Sequence, residues 1–135
     1  MDGTTSNEGG PDAAVTSAGL PEDVRRILVA VAERSGEHRD VLVRQITRAV
    51  VTENARTWVY FSVPDPVARV PWSDGFIPLA LNPSVVDASG EPTGTIYVWV
   101  EDGRLSGVEH PWFTDEAPTQ WPSVDMLVWD QVSIS

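Results

Sequence analysis

The sequence predicts an α+β fold in which two helices come first and pack on one face of a mainly antiparallel sheet of about five strands. Three observations support this prediction: an amphipathic stretch in the first third of the chain, β-branched and aromatic runs later on, and an Asp-Gly turn between two of those runs. Because the helices precede the strands instead of alternating with them, a parallel βαβ arrangement is disfavoured.

The first helix is predicted at about residues 21–35. Pro21 suits the first helical turn, and the acids Glu22 and Asp23 interact favourably with the positive end of the helix dipole. Apolar residues then recur at the spacing of one helical face, and Gly36 ends the helix. Residues 37–51 fit either a helix or a strand, and we predict a short second helix followed by a strand.

Later segments are dense in valine, isoleucine, threonine and aromatic residues, a composition that favours strands. The predicted strands cover residues 57–63, 80–87, 95–101, 104–109 and 126–134. Residues 53–56 are predicted as a hairpin loop, 64–79 as a proline-rich surface excursion and 89–92 as a turn. Asp102 and Gly103 between two strands predict a type I′ hairpin, since both turn positions need a positive φ.

The 135 residues suit one domain, which we predict over residues 20–135. Residues 1–19 are rich in Gly, Ser, Thr, Asp and Ala, and we predict a disordered leader there. No basic, apolar signal-like segment and no apolar run of about 20 residues is present, so we expect a cytoplasmic protein without a membrane anchor.

Composition removes several kinds of chemistry. All nine basic residues are arginines and cysteine is absent, which excludes lysine Schiff bases, thiol nucleophiles and zinc-thiolate sites. No phosphate-binding glycine motif is present, and no cofactor is expected. The formal net charge of −11 argues against nucleic acids and anionic membranes as partners and favours a protein partner with a basic surface.

The charge is polarised along the chain. Residues 21–56 carry seven arginines and six acids, whereas residues 94–135 carry seven acids, one arginine and four of the six tryptophans. Acids and aromatic residues together are typical of a binding surface with apolar anchors and a charged rim. The candidate partner-binding residues are Glu109, Trp112, Phe113, Asp115, Glu116 and Trp121. Alternatively, Trp99 in the middle of a predicted strand belongs to the core, and Trp112 and Trp121 simply cover a sheet edge.

The same region carries a family resemblance. Residues 98–109 read Val-Trp-Val-Glu-Asp-Gly-Arg-Leu-Ser-Gly-Val-Glu, and Trp112-Phe113-Thr114-Asp115-Glu116 and Pro118-Thr119 follow. This pattern resembles small uncharacterised acidic proteins of actinobacteria over about 40 residues. The resemblance implies no activity for particular residues. By analogy, proteins of this general build include immunity proteins of bacterial toxin systems, whose acidic surfaces cover the basic active site of a nuclease or similar toxin.

A catalytic set is not predicted, so the leading hypothesis is a non-enzymatic protein-binding module that acts as an immunity-like inhibitor of a basic toxin or nuclease. The chain has two histidines: His38 lies in a polar junction that suggests a solvated surface residue, whereas His110 lies near Glu109 and Asp115, whose oxygens suit metal binding or hydrolysis. One alternative is therefore a divalent-metal or hydrolytic site made of Glu109, His110 and Asp115, although the spacing matches no defined metal motif. Another alternative is a structural subunit of a phage or secretion assembly that uses exposed tryptophans as contacts.

Overall fold

The computed structural model describes residues 19–129 of the chain. They form two α-helices and eight strands in two antiparallel sheets, which confirms the predicted α+β class. In chain order the elements are α1 (Glu22–Glu33), α2 (Arg39–Arg48), β1 (Val50–Asn54), β2 (Trp58–Ser62), β3 (Gly75–Phe76), β4 (Ser84–Val86), β5 (Pro92–Thr95), β6 (Tyr97–Glu101), β7 (Arg104–Glu109) and β8 (Leu127–Val128). The predicted leader lies outside the described residues except for Gly19.

Both helices form where the sequence predicts them. α1 starts directly after Pro21, and Gly36, with a φ of +68°, follows its end. One stripe of α1 is fully buried and consists of Val24, Ile27, Leu28, Val31 and Ala32. Residues 37–51, which fit either a helix or a strand, contain the short helix α2 and the start of strand β1, as predicted.

The larger sheet has five strands in the order β1-β2-β7-β6-β3. Asp102 and Gly103 have φ values of 55° and 73° and connect β6 to β7, which confirms the predicted hairpin turn. Buried aliphatic residues of this sheet and of both helices form one core cluster. Each strand therefore has one set of side chains in the core and, because side chains alternate, a second set on the opposite face.

The segment predicted as a surface excursion also contributes to this sheet, which corrects the prediction for residues 64–79. Strand β3 lies there and pairs with β6, so that Gly75 lies opposite Val100 and Phe76 opposite Trp99. A strand of two residues is too short to show an alternating pattern, and only its cross-strand partner reveals it.

The smaller sheet has the order β5-β4-β8, and the predicted strand 95–101 is divided between this sheet and the larger one. Thr95 pairs with Ser84 in this sheet, whereas Tyr97 pairs with Glu109 in the larger one. Ile96 between them is fully buried, and its N–H donates to the carbonyl of Pro83 at 2.9 Å. The predicted strand 95–101 is therefore two strands.

Further boundaries differ from the prediction. Glu53 and Asn54, assigned to a hairpin loop, are the last two residues of β1, and they pair with β2. The predicted strand 80–87 is strand only over β4, because a 3₁₀ turn occupies Leu79–Leu81. Pro92, assigned to a turn, begins β5. Of the predicted strand 126–134, β8 covers Leu127–Val128, and residues beyond 129 lie outside the described part.

Helix α2 contributes a fully buried polar side chain, that of Gln45. Its Oε1 accepts a hydrogen bond from the N–H of Leu105 at 2.8 Å, and its Nε2 donates to the carbonyls of Ala68 at 2.9 Å and Gly103 at 3.0 Å. Strand β2 pairs with β7 only at residues 107–109, so Leu105 lies beyond that pairing. Gln45 supplies the missing acceptor and connects α2 to the β6–β7 hairpin.

Replacing Gln45 with leucine should lower the free energy of unfolding by about 1 to 3 kcal/mol, because the buried N–H of Leu105 would lose its acceptor. Chemical denaturation followed by tryptophan fluorescence measures this loss. Arg44→Leu on the exposed side of the same helix is the control and should change the stability by less than about 0.5 kcal/mol. Equal stability of the two variants would contradict this role for Gln45.

Gly103→Val should destabilise the hairpin for two reasons. A β-branched residue at positive φ is strained by about 1 to 3 kcal/mol. A Cβ at position 103 would also lie 2.7 Å from Cβ of Arg69 and 2.9 Å from the carbonyl of Val70. Gly90→Val is the matched control, because Gly90 has a φ of +89° but open space around it. The melting temperature should fall more for Gly103→Val, and an equal fall would show that the crowding is unimportant.

Candidate functional site

The face of the larger sheet that points away from the core is rich in aromatic side chains. Alternation along β2 and β6 places every second residue on this face, and β3 adds one ring from the sheet edge. The five aromatic residues are Trp58, Tyr60, Phe76, Tyr97 and Trp99, and all are exposed or half-buried. Together with Glu53, Glu101 and Glu109, they are called here the acid-aromatic face.

The rings on one side of this face contact one another. The ring centroid of Phe76 lies 4.6 Å from that of Tyr97 and 4.2 Å from that of Trp99. Phe76 is nevertheless 42% exposed. The Nε1 of Trp99 is buried without a hydrogen-bond partner among residues 19–129. Aromatic side chains thus cover part of the sheet, and Phe76 at the sheet edge stays exposed to solvent.

Gly107 separates two of the rings. It lies opposite Tyr60 on β2 and opposite Trp99 on β6, so the three residues share one cross-strand row. A Cβ at Gly107 would lie 2.5 Å from Cδ1 of Tyr60, which means that the tyrosine ring leans over the glycine backbone. A larger residue at position 107 would displace this ring.

Glu109 lies near the centre of the face, between Trp58 on β2 and Tyr97 on β6. The hydroxyl of Tyr60 donates a hydrogen bond of 2.5 Å to Oε2 of Glu109. This bond, together with burial, raises the pKa of Tyr60 to about 12, so that the hydroxyl stays a donor at neutral pH. At the sheet edge, Nε1 of Trp58 donates to Glu53 at 2.9 Å.

Two depressions lie on this face and share Tyr60 and Glu109. The first, called the trough, has a volume of about 540 Å³, and its lining includes Trp99, Ser106 and the carboxylates of Asp74, Glu101 and Glu109. The second has a volume of about 400 Å³ and includes Glu53, Trp58 and Trp112. Neither lining contains an arginine. Both depressions therefore combine carboxylates with aromatic rings.

The structure brings only part of the predicted binding set together. Glu109 and Trp112 line the same depression. Phe113, Asp115 and Glu116 are exposed on the following loop, where the Thr114 hydroxyl donates to the carbonyl of Glu116. These three residues do not line either depression of the acid-aromatic face.

Trp121 lies elsewhere and is half-buried. Its ring centroid is 6.0 Å from that of His110, and both residues line a larger cavity of about 680 Å³ beside α1 and β4. Trp121 also packs against the core. Trp99, which the sequence suggests as a core residue, lies instead on the acid-aromatic face.

His110 is a buried residue that directly follows the half-buried Glu109. Only 5% of its surface is accessible, and Nδ1 has no hydrogen-bond partner among the described residues. The backbone N–H of His110 donates a hydrogen bond to the carbonyl of Thr57 at 2.8 Å, which fixes the backbone at this position. Burial lowers the pKa of the imidazole, so it is uncharged at neutral pH. A general base is normally oriented by a partner on its second nitrogen, and Nδ1 has none within residues 19–129.

The metal alternative gains no support from the geometry. Within residues 19–129, no three histidine, aspartate or glutamate side chains lie together in a way that suits a metal ion, and this includes Glu109, His110 and Asp115. Glu109 and His110 are consecutive, so their side chains extend in different directions, and Asp115 lies on the exposed loop. The assembly-subunit alternative stays a prediction.

The binding residues predicted from the sequence do not include those residues of the acid-aromatic face that lie outside the C-terminal half, nor Tyr97, Trp99 and Glu101 within it. Alternation within residues 57–63 contains the signal that Trp58 and Tyr60 share a face, but not which strand they pair with. Phe76 and Asp74 carry no signal of this kind, because they lie in the irregular segment around β3. Only the order of strands in the sheet places all of these residues beside Glu109.

Comparisons with known proteins do not assign this chain to a family. No family model, curated protein or solved structure matches this chain. The resemblance to acidic actinobacterial proteins therefore stays a prediction. Within the described ranges, no helix has the length and apolar character needed to cross a membrane.

His110 should make stability depend on pH. Because burial lowers its pKa in the folded state, the unfolded chain binds the proton more strongly. Its stabilising contribution is fully present above the unfolded value, about 6.5, and is lost as the pH falls through the lowered pKa. Unfolding free energies of the wild type should therefore decrease between pH 7.5 and pH 5.0.

Part of this decrease should vanish in His110→Gln, which cannot titrate in this range, and should persist in the control His38→Gln. Denaturant titrations at both pH values provide the comparison. If the free energy of unfolding of His110→Gln depends on pH as strongly as that of the wild type, the prediction that a neutral imidazole is buried at this position is wrong.

Proposed function

We propose that this protein is a non-enzymatic binding module that recognises a basic surface of a protein partner through its acid-aromatic face. The observation that carries the proposal is the lining of the two depressions, which combines aromatic rings and carboxylates and contains no arginine. Tyrosine and tryptophan are the residues that most often anchor protein interfaces, and they do so next to a polar rim.

Exposure of the rings supports this function. Phe76 is 42% exposed and Trp58 is 38% exposed, and they belong to opposite sides of the same sheet face. Exposed aromatic residues with carboxylates between and around them are typical of an interaction site, because the exposure of the rings to water has a free-energy cost. A partner that covers these rings would remove that cost.

Charge determines the kind of partner. The net charge of −11 favours encounter with a positively charged surface, and local carboxylates then orient the partner on the face. Inhibition of a basic toxin or nuclease, as by an immunity protein in the cytoplasm, is the specific form of this function that the sequence suggests. In that case the acid-aromatic face would cover the basic active site.

Selection from a displayed peptide library with basic, neutral and acidic members tests the proposal. The peptides that bind the full chain should carry a net positive charge. Their affinity should fall about tenfold or more in the Glu101→Gln/Glu109→Gln double variant, because one lost charged contact of about 1.4 kcal/mol corresponds to a factor of ten.

The matched control is Asp115→Asn/Glu116→Gln, which removes the same charge from the neighbouring loop and should leave the affinity nearly unchanged. A loss of affinity in the loop variant alone would assign the surface to the loop. Selection of peptides without net positive charge would show that the proposed partner chemistry is wrong.

A further inference from the structure

We infer that the trough binds the side chain of an arginine residue, with the planar guanidinium group held by the Tyr60 and Trp99 rings and by the surrounding carboxylates. The inference rests on the proposed function and specifies which group of the basic partner is recognised. Three features of the trough carry it: its shape, its unpaired charge and the chemistry of its walls.

The shape follows from the strand pairing. Tyr60 and Trp99 lie on either side of Gly107 in one cross-strand row, and the Tyr60 ring leans over the glycine backbone between them. The register of β6 and β7 is irregular between Trp99 and Val100, which places Ser106 as an additional residue in the lining of the trough. The trough is thus lined by both rings together with Ser106, Glu101 and Glu109, and Gly107 is not part of its lining.

The trough carries negative charge that the fold does not neutralise. Asp74 accepts a hydrogen bond from the N–H of Asp102 at 2.8 Å, and Glu109 accepts one from Tyr60. Among residues 19–129, the ion pairs involve other acids, such as Asp65 and Asp102, and none involves a carboxylate of the trough. A cation that enters the trough therefore need not break an existing ion pair.

The walls favour guanidinium over ammonium. A guanidinium group is planar, stacks on aromatic rings and binds carboxylates through two parallel hydrogen bonds. An ammonium group is a strongly hydrated point charge that gains less from flat aromatic walls. Arginine is thus the side chain that uses both the rings and the carboxylates, whereas carboxylates without rings would not distinguish arginine from lysine.

Three blocked pentapeptides that differ only at the central residue, which is arginine, lysine or citrulline, test the inference. Each is titrated into the full chain, and the NMR signals of the Trp99 indole and the Tyr60 ring report binding. The arginine peptide should bind at least about fivefold more tightly than the lysine peptide. Citrulline has the same shape without the charge and should produce no saturable shift.

Variants identify the trough as the site. Glu101→Gln changes an exposed residue and should weaken binding of the arginine peptide several-fold, whereas the loop control Glu116→Gln should not. Tyr60→Phe, which keeps the ring and removes the hydrogen bond to Glu109, should retain the preference for arginine over lysine.

The outcomes separate this inference from the proposed function. Equal binding of the arginine and lysine peptides at these signals would overturn the arginine trough while the proposed function stands. If the arginine peptide shifts only the NMR signals of other residues and not those of Trp99 and Tyr60, the arginine trough would be overturned as well. If neither charged peptide binds and the library selection also yields no basic binder, both proposals are wrong.

Discussion

The three hydrogen bonds of Gln45 hold the helical layer and the sheet of this protein in one arrangement. A buried amide must satisfy both its oxygen and its nitrogen, so it accepts only positions in which an N–H and a carbonyl lie at the right distances. Here the oxygen receives the N–H of Leu105 and the nitrogen reaches the carbonyls of Ala68 and Gly103. Apolar packing alone is not directional and would tolerate a shifted helix.

The position of the β6–β7 hairpin determines the acid-aromatic face on the other side of the sheet. Trp99 and Glu101 belong to β6, and Glu109 belongs to β7, so a shift of this hairpin would move all three. Leu105 on the same hairpin is held by Gln45 from the core side. The two faces of the sheet are therefore coupled: polar contacts in the core position the exposed carboxylates and rings that we propose as the binding surface.

How much of the site could be predicted differs from residue to residue. Acids and tryptophans are concentrated in the C-terminal half, and two of the residues proposed on this basis, Glu109 and Trp112, line the same depression. Composition alone does not distinguish Trp121 from Glu109 and Trp112. Its position beside His110 depends on the path that residues 111–123 take in the folded chain. Phe76 and Tyr60 come from distant parts of the chain, and only pairing with β6 and β7 brings them to the face.

By itself, the sequence determined the elements whose causes are local. The amphipathic stripe of α1, the helix start at Pro21 and the Asp102-Gly103 turn depend on residues that are close along the chain, and all three formed as predicted. Tertiary structure decided the order of the strands, the division of residues 92–101 between two sheets and the partners of Gln45. These features depend on contacts between residues far apart in sequence, and no local propensity specifies such contacts, because their energy exists only once both partners have been brought together.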